Sequence, residues 1–233
     1  MPQPVIFTVN PSDVDPAAIQ QAADHIRRGG LVAFPTETVY GLAADANNPN
    51  AIERLNRVKG RPPEKPYSLH VHSAAQVRAY LDHVPPMAQR LMDKFWPGPL
   101  TIVLPAAPGG SLPAALRVAQ AGLPAAHSSG QAGAQAGTLG FRLPQHPVAQ
   151  AFLQACGTPV VAPSANRSGF PPPTDSKEVL EALWDACECL LDAGPTPLGR
   201  ESTVVSVVDG RLQILREGAI PSQVILSTLE ARG

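Results

Sequence analysis

One stretch, from Leu31 to Val71, limits the architectures open to this chain. Leu31-Val32-Ala33-Phe34 is an apolar run that reads as a strand, and Pro35-Thr36-Glu37-Thr38-Val39-Tyr40-Gly41 follows it as a polar turn. A helix comes next. Asn48 can cap it, Pro49 suits its first turn, Ile52, Leu55 and Val58 recur at helical spacing, and Gly60 suits the residue just past its end. Lys59-Gly60-Arg61-Pro62-Pro63-Glu64-Lys65-Pro66 then leads into a second strand, Tyr67 to Val71. A strand, a helix and a strand with polar turns at their ends call for an α/β arrangement with its functional groups at strand ends. Cations at a helix C-terminus can serve only to offset the helix dipole. Three cations within seven residues, flanked by prolines that restrict the backbone, suggest a binding turn instead.

The rest of the chain fits the same class. A short edge strand is expected at Val5 to Val9. Asp15 and Pro16 open a helix that Gly29-Gly30 close, Ser73 caps a helix to about Leu81, and another runs from Pro86 to Phe95. Trp96-Pro97-Gly98-Pro99 is a turn before a strand at Thr101 to Leu104. A strand spans Thr138 to Arg142 and a helix Pro147 to Cys156. A short strand, Pro159 to Ala162, runs into Pro163-Ser164-Ala165-Asn166. Asp175 and Glu178 have capping-box spacing, and Leu190 to Asp192 is a short strand. Strands at Val204 to Val208 and Arg211 to Leu215 flank Asp209-Gly210, a two-residue hairpin signal, so the sheet is expected to be mixed. A last helix starts near Pro221. Residues 106–137 are rich in Ala, Gly, Pro, Ser and Gln without sustained periodicity, and are expected to form a long flexible loop inside a single domain spanning 1–233.

Composition narrows the chemistry. The net charge of −1 gives no global field toward nucleic acid or membranes, and no apolar run approaches the roughly 20 residues of a bilayer span. Three cysteines, Cys156, Cys187 and Cys189, form neither a disulfide framework nor a zinc pattern, so a soluble cytoplasmic protein is expected. P-loop, dinucleotide-binding and G-x-S-x-G signatures are missing. Ser164 has no evident base, and His70 and His72 have few carboxylates nearby, so neither a triad nor a protein-held metal is expected. Lys59, Arg61, Lys65, Arg142 and Arg216 recur at strand ends, among the small donors Thr38, Thr138, Ser164, Asn166, Ser202 and Thr203. That combination suits a polyphosphate, with arginine able to bind in a forked manner and lysine as a point charge.

The ordered motifs Phe34-Pro35-Thr36-Glu37-Thr38-Val39-Tyr40-Gly41-Leu42, Lys59-Gly60-Arg61-Pro62, Trp96-Pro97-Gly98-Pro99-Leu100-Thr101, Pro163-Ser164-Ala165-Asn166, Glu201-Ser202-Thr203-Val204 and Leu215-Arg216-Glu217-Gly218-Ala219-Ile220 resemble the Sua5/YrdC/YciO family of threonylcarbamoyl-AMP synthases, from about Val5 to Ser222. The resemblance implies a YrdC-like twisted mixed sheet flanked by helices around a large positively charged cavity. It implies a nucleotidyltransferase that makes threonylcarbamoyl-AMP and pyrophosphate from L-threonine, bicarbonate and ATP, for N6-threonylcarbamoyladenosine at position 37 of tRNA. ATP, with Mg²⁺, would be held by Lys59, Arg61, Lys65, Thr138, Ser164, Asn166, Pro172 and Arg216, with Lys59 and Arg61 also catalytic. Threonine would be held by Thr38, His70, Arg142, Ala162 and Ser202. Proteins that transfer the threonylcarbamoyl group to tRNA would be downstream partners, and any RNA binding would be weak. Alternatives within the same resemblance are a double-stranded RNA-binding or ribosome-maturation protein and a carbamoyltransferase-type YrdC domain. The chain departs from the family in Tyr67, where leucine is usual, in a longer loop before Thr138, and in lacking the C-terminal domain of the long Sua5 proteins.

Overall fold

A computed structural model describes residues 3–61, 67–107, 116 and 137–230. Among these, ten strands form one mixed sheet: β1 (Val5–Thr8), β2 (Val32–Phe34), β3 (Gly41–Asp45), β4 (Ser68–His70), β5 (Leu100–Pro105), β6 (Thr138–Arg142), β7 (Val160–Val161), β8 (Cys189–Asp192), β9 (Thr203–Val208) and β10 (Arg211–Arg216). Their spatial order is β1-β8-β2-β3-β7-β4-β6-β5-β9-β10. The β1–β8, β2–β8, β4–β6 and β5–β9 pairs are parallel and the others antiparallel. The helices are α1 (Pro16–Arg27), α2 (Pro49–Lys59), α3 (Pro86–Phe95), α4 (Pro147–Cys156), α5 (Ser176–Leu183) and α6 (Ser222–Glu230).

Most element ends follow the local chemistry. The Asp15 and Asn48 side chains accept from the first-turn amides of α1 and α2, and Gly60 adopts φ 59°, a left-handed conformation that glycine takes at little cost. The Asp175 carboxylate accepts from the Glu178 amide, while Glu178 reaches back to Thr174 rather than to Asp175. Asp209 and Gly210 both have positive φ, 50° and 70°, as a tight hairpin turn requires. Two expectations differ. Residues Ala74–Ala79 form a 3₁₀ helix rather than an α-helix. And the turn after Phe34 returns as β3, which pairs antiparallel with β2 and β7. The loop expected at 106–137 lies largely outside the described residues.

Two apolar layers sandwich the sheet, and their unequal reach creates the site. On one face α2, α3, α5 and α6 pack over Leu42, Leu69, Phe141, Ile102 and Val205. On the other, α1 and α4 cover Val32, Phe34, Ala43, Val160, Ala162 and Leu191. Strand side chains alternate between faces. The register aligns Leu69, Phe141, Ile102 and Val205 in one row on the covered side, and His70, Arg142, Thr101 and Val204 in the next row on the opposite side. That second row continues the face under α1 and α4 past their apolar cluster, and there it becomes the floor of a cavity. Phe34 marks the seam: its ring packs on Phe152 of α4 at 5.1 Å and edge-on to His70 at 6.3 Å.

Phe141 is fully buried and packs against Tyr80 at 5.8 Å. Phe141→Ala is expected to lower stability by about 3–5 kcal/mol, read from urea unfolding.

Candidate functional site

The cavity holds about 570 Å³. Alternate residues of four adjacent strands form its floor: Ser68 and His70, Thr138, Gly140 and Arg142, Thr101 and Val103, and Val204. Thr138 and Arg142 lie four residues apart on one strand, which places them about 13 Å from each other along the floor. Gly140 between them leaves room for the Ser68 hydroxyl, which would lie 2.5 Å from a Cβ there. Lys59, Arg61, Ser164, Asn166, Glu201, Ser202 and Arg216 stand around this floor. Among the described lining residues, Lys59, Arg61, Arg142 and Arg216 are cationic and Glu201 is the carboxylate that accompanies them.

Arg142 is held from behind by the turn between β2 and β3. Its Nη2 donates to Glu37 Oε1 at 3.0 Å and to Thr38 Oγ1 at 2.6 Å. The other Glu37 oxygen accepts from the Gln145 amide at 3.1 Å. Thr36 spends its own hydroxyl proton on the Val39 carbonyl, so it accepts from Thr38, whose lone pairs are left for the guanidinium. The side chains of Arg142 and Glu37 are only 7% and 6% exposed, which makes this a buried ion pair rather than a surface one. Arg142 Nε is buried without a hydrogen-bond partner among the described residues. Beside it, burial and the Arg142 charge push the His70 pKa down to about 3, so this imidazole is neutral at neutral pH.

Lys59 and the Pro163–Asn166 segment form one unit. The Lys59 ammonium donates to the Ser164 carbonyl, the Asn166 carbonyl and Asn166 Oδ1, the last at 2.9 Å, which uses all three of its protons. Ser164 Oγ also donates to Asn166 Oδ1, at 2.6 Å. The Ala165 amide donates to the Tyr40 carbonyl and the Leu42 amide to the Pro163 carbonyl, so the segment is zipped to the start of β3. Burial, helped by the Arg61 charge, pushes the Lys59 pKa down to about 8. The three oxygen acceptors favour the ammonium, and we assign the charged form at neutral pH on that geometry.

Arg216 stands on a more open rim. Its Nη1 donates to Glu201 at 2.8 Å and its Nη2 to the Ser202 carbonyl at 2.9 Å. With side chains 43% and 36% exposed, the Glu201 pair is worth little to stability. Ser202 Oγ shares a hydrogen bond with Thr101 Oγ1 at 2.9 Å. Gly218 lets this rim close, since a Cβ there would lie 2.3 Å from the Glu201 carbonyl.

The structure therefore gathers Lys59, Arg61, Thr138, Ser164, Asn166, Arg216, His70, Arg142, Ala162 and Ser202 on one cavity. Thr38 lies behind it, against Arg142. Pro172 lines a separate groove with Arg167, Phe170 and Glu178. Lys65 lies outside the described residues. Glu37 and Thr101 were not singled out from sequence. Glu37 lay in the Pro-Thr-Glu-Thr run already noted, but its partner is 105 residues away.

An open cavity on a mixed α/β sheet, rimmed by cations and neutral hydrogen-bond donors, has the chemistry that suits an anionic small molecule. A family model for the Sua5/YciO/YrdC domain, described as "Telomere recombination", matches residues 24–218. The chain is 40% identical over 207 residues to the threonylcarbamoyl-AMP synthase of Bacillus subtilis, covering 89% of this chain and 55% of that protein. It is 39% identical over 207 residues to the synthase of Pyrococcus abyssi, covering 89% of this chain and 56% of that one. The solved structure of P. abyssi Sua5 complexed with L-threonine superposes with a TM-score of 0.83 at 37% identity, over 96% of this chain and 60% of that one. The chain belongs to the Sua5/YciO/YrdC family. It spans little more than half the length of these curated relatives.

Glu37→Ala would leave the Arg142 charge buried without its carboxylate. The variant is expected to lose about 3–5 kcal/mol, well above the loss at a surface ion pair, when unfolding is compared with wild type.

Proposed function

We propose that the chain makes threonylcarbamoyl-AMP and pyrophosphate from L-threonine, bicarbonate and ATP. The observation that carries this reading is that two separate groups of cations line one cavity. At one, Arg142 is fixed by Glu37 and Thr38 beside a neutral His70. At the other, Arg61 and Arg216 flank the Lys59–Ser164–Asn166 unit. Membership of a family whose relatives are named for this activity supports it. Arg142 suits the amino-acid carboxylate, with Ala162 and Ser202 leaving room for a small side chain. Arg61, Arg216, Thr138 and the Ser164–Asn166 segment suit the triphosphate, to which Lys65 would add a further cation and which would bring Mg²⁺ with it.

The reaction needs no protein nucleophile. The threonine amine condenses with bicarbonate to a carbamate and releases water. A carbamate oxygen then attacks the α-phosphorus, and the bond to pyrophosphate breaks. Positioning and charge stabilisation are what the site offers. Lys59 contributes through Ser164 and Asn166, since its three protons are already engaged. On this reading the product serves tRNA N6-threonylcarbamoyladenosine synthesis through separate transfer proteins, in the cytoplasm. Among the described residues no helix is long and apolar enough to cross a membrane.

Pyrophosphate release is expected to require ATP, L-threonine and bicarbonate together. Arg61→Ala should lose about 1.5–3 kcal/mol of ATP binding, roughly ten- to a hundredfold. Release that needs neither threonine nor bicarbonate, or no release beside salt-steep RNA binding, would contradict the proposal.

Lys59 adds a pH dependence. Its folded pKa lies below the ordinary lysine value, so folding favours the neutral amine: the cost is fully present below about pH 8 and fades as pH rises from there toward 10.5. A triphosphate favours the ammonium, so ATP affinity should fall above pH 8, by up to roughly tenfold at pH 9. Titrations at pH 7 and 9 should show that fall in wild type and not in Lys59→Met.

A further inference from the structure

Arg61 and Tyr67 are both tied to one residue of α2. The Arg61 amide donates to the Asn56 carbonyl at 3.0 Å, in the hydrogen-bonded turn that closes α2 around Gly60. The Tyr67 hydroxyl donates to the Asn56 side-chain oxygen at 2.7 Å. The Arg61 guanidinium carbon then lies over the Tyr67 ring, 4.7 Å from its centre. Both side chains line the cavity, and Tyr67 is at the same time part of the apolar core, 7% exposed. The ring is therefore an immobile platform, with its hydroxyl anchored to a helix and its body held by packing.

We propose that Tyr67 is a positioning residue for the nucleotide, acting through Arg61. This rests on the reading of the cavity as an ATP site. An arginine side chain is rich in rotamers, and holding it over an aromatic ring before binding removes part of the entropy cost of fixing it. The ring face holds the Arg61 charge at the cavity before a phosphate arrives. The attraction between the cation and the ring face is greatest where water is excluded, as it is at a ring this buried. Asn56 completes the device by fixing the arginine backbone and the tyrosine hydroxyl from one side chain and one carbonyl.

The test is titration of Mg-ATP and, separately, of L-threonine into the full chain, with wild type, Tyr67→Leu, Tyr67→Phe, Arg61→Ala and the Tyr67→Leu/Arg61→Ala pair. Tyr67→Leu is expected to weaken ATP binding about three- to tenfold and to leave threonine affinity unchanged. Tyr67→Phe, which keeps the ring, is expected to stay within about twofold. In the Arg61→Ala background Tyr67→Leu should make no further difference, a coupling that a purely structural role would not produce. If Tyr67→Leu does not fold, Tyr67→Met removes the ring with less change of volume, and the same result is expected of it. ATP affinity that falls in Arg61→Ala but not in Tyr67→Leu, or losses that simply add, would overturn the role of Tyr67 and leave the ATP site standing. A wild-type chain that binds no ATP would overturn the site itself.

Discussion

The ion pair between Arg142 and Glu37 ties the site to the sheet. A guanidinium at the centre of a ten-stranded sheet, on a face that otherwise continues an apolar layer, requires a carboxylate and further oxygens close by. The turn between β2 and β3 supplies both, with Glu37 and Thr38 bonded directly to the guanidinium. The same turn is fixed elsewhere: the Leu198 amide donates to the Glu37 carbonyl and the Tyr40 amide to the Pro173 carbonyl. One electrostatic requirement thereby links β6, the β2–β3 turn and the segment before β9.

A second buried cation does similar work in the same cavity. Lys59 closes α2 and binds Ser164 and Asn166, while the backbone of that segment pairs with the start of β3. The two cations thus grip neighbouring parts of the chain, one ahead of β3 and one beside it. Arg61 and Arg216 lie nearer the rim, where their charge can meet a ligand at a smaller desolvation cost. This division, with Lys59 spent within the protein and the arginines presented to the cavity, differs from a picture in which every cation of the motif touches phosphate.

Local chemistry made much of the fold legible in the sequence. Asn48 and Gly60 mark the two ends of α2, and Asp209-Gly210 marks the hairpin, because each depends on its immediate neighbours. β3 escaped detection: Gly41-Leu-Ala-Ala-Asp carries no β-branched residue, and its strand state comes from pairing with β2 and β7. The candidate site was legible as residue types and motifs, and most of those residues do share one cavity. What linked them was not. The row His70, Arg142 and Thr101 exists only through the β4–β6–β5 register, and the Glu37 partner of Arg142 lies across the whole fold. Pro172 follows Asn166 closely in sequence, yet it lines a different groove.

The central claim is that one cavity seats an amino acid on Arg142 and a triphosphate between Arg61 and Arg216. A crystal structure of the chain with L-threonine and a non-hydrolysable ATP analogue tests it directly. The predicted result is the threonine carboxylate within hydrogen-bond distance of Arg142, with the phosphates on Arg61 and Arg216 beside Ser164. Phosphates seated on Arg142, or threonine bound outside this cavity, would contradict it.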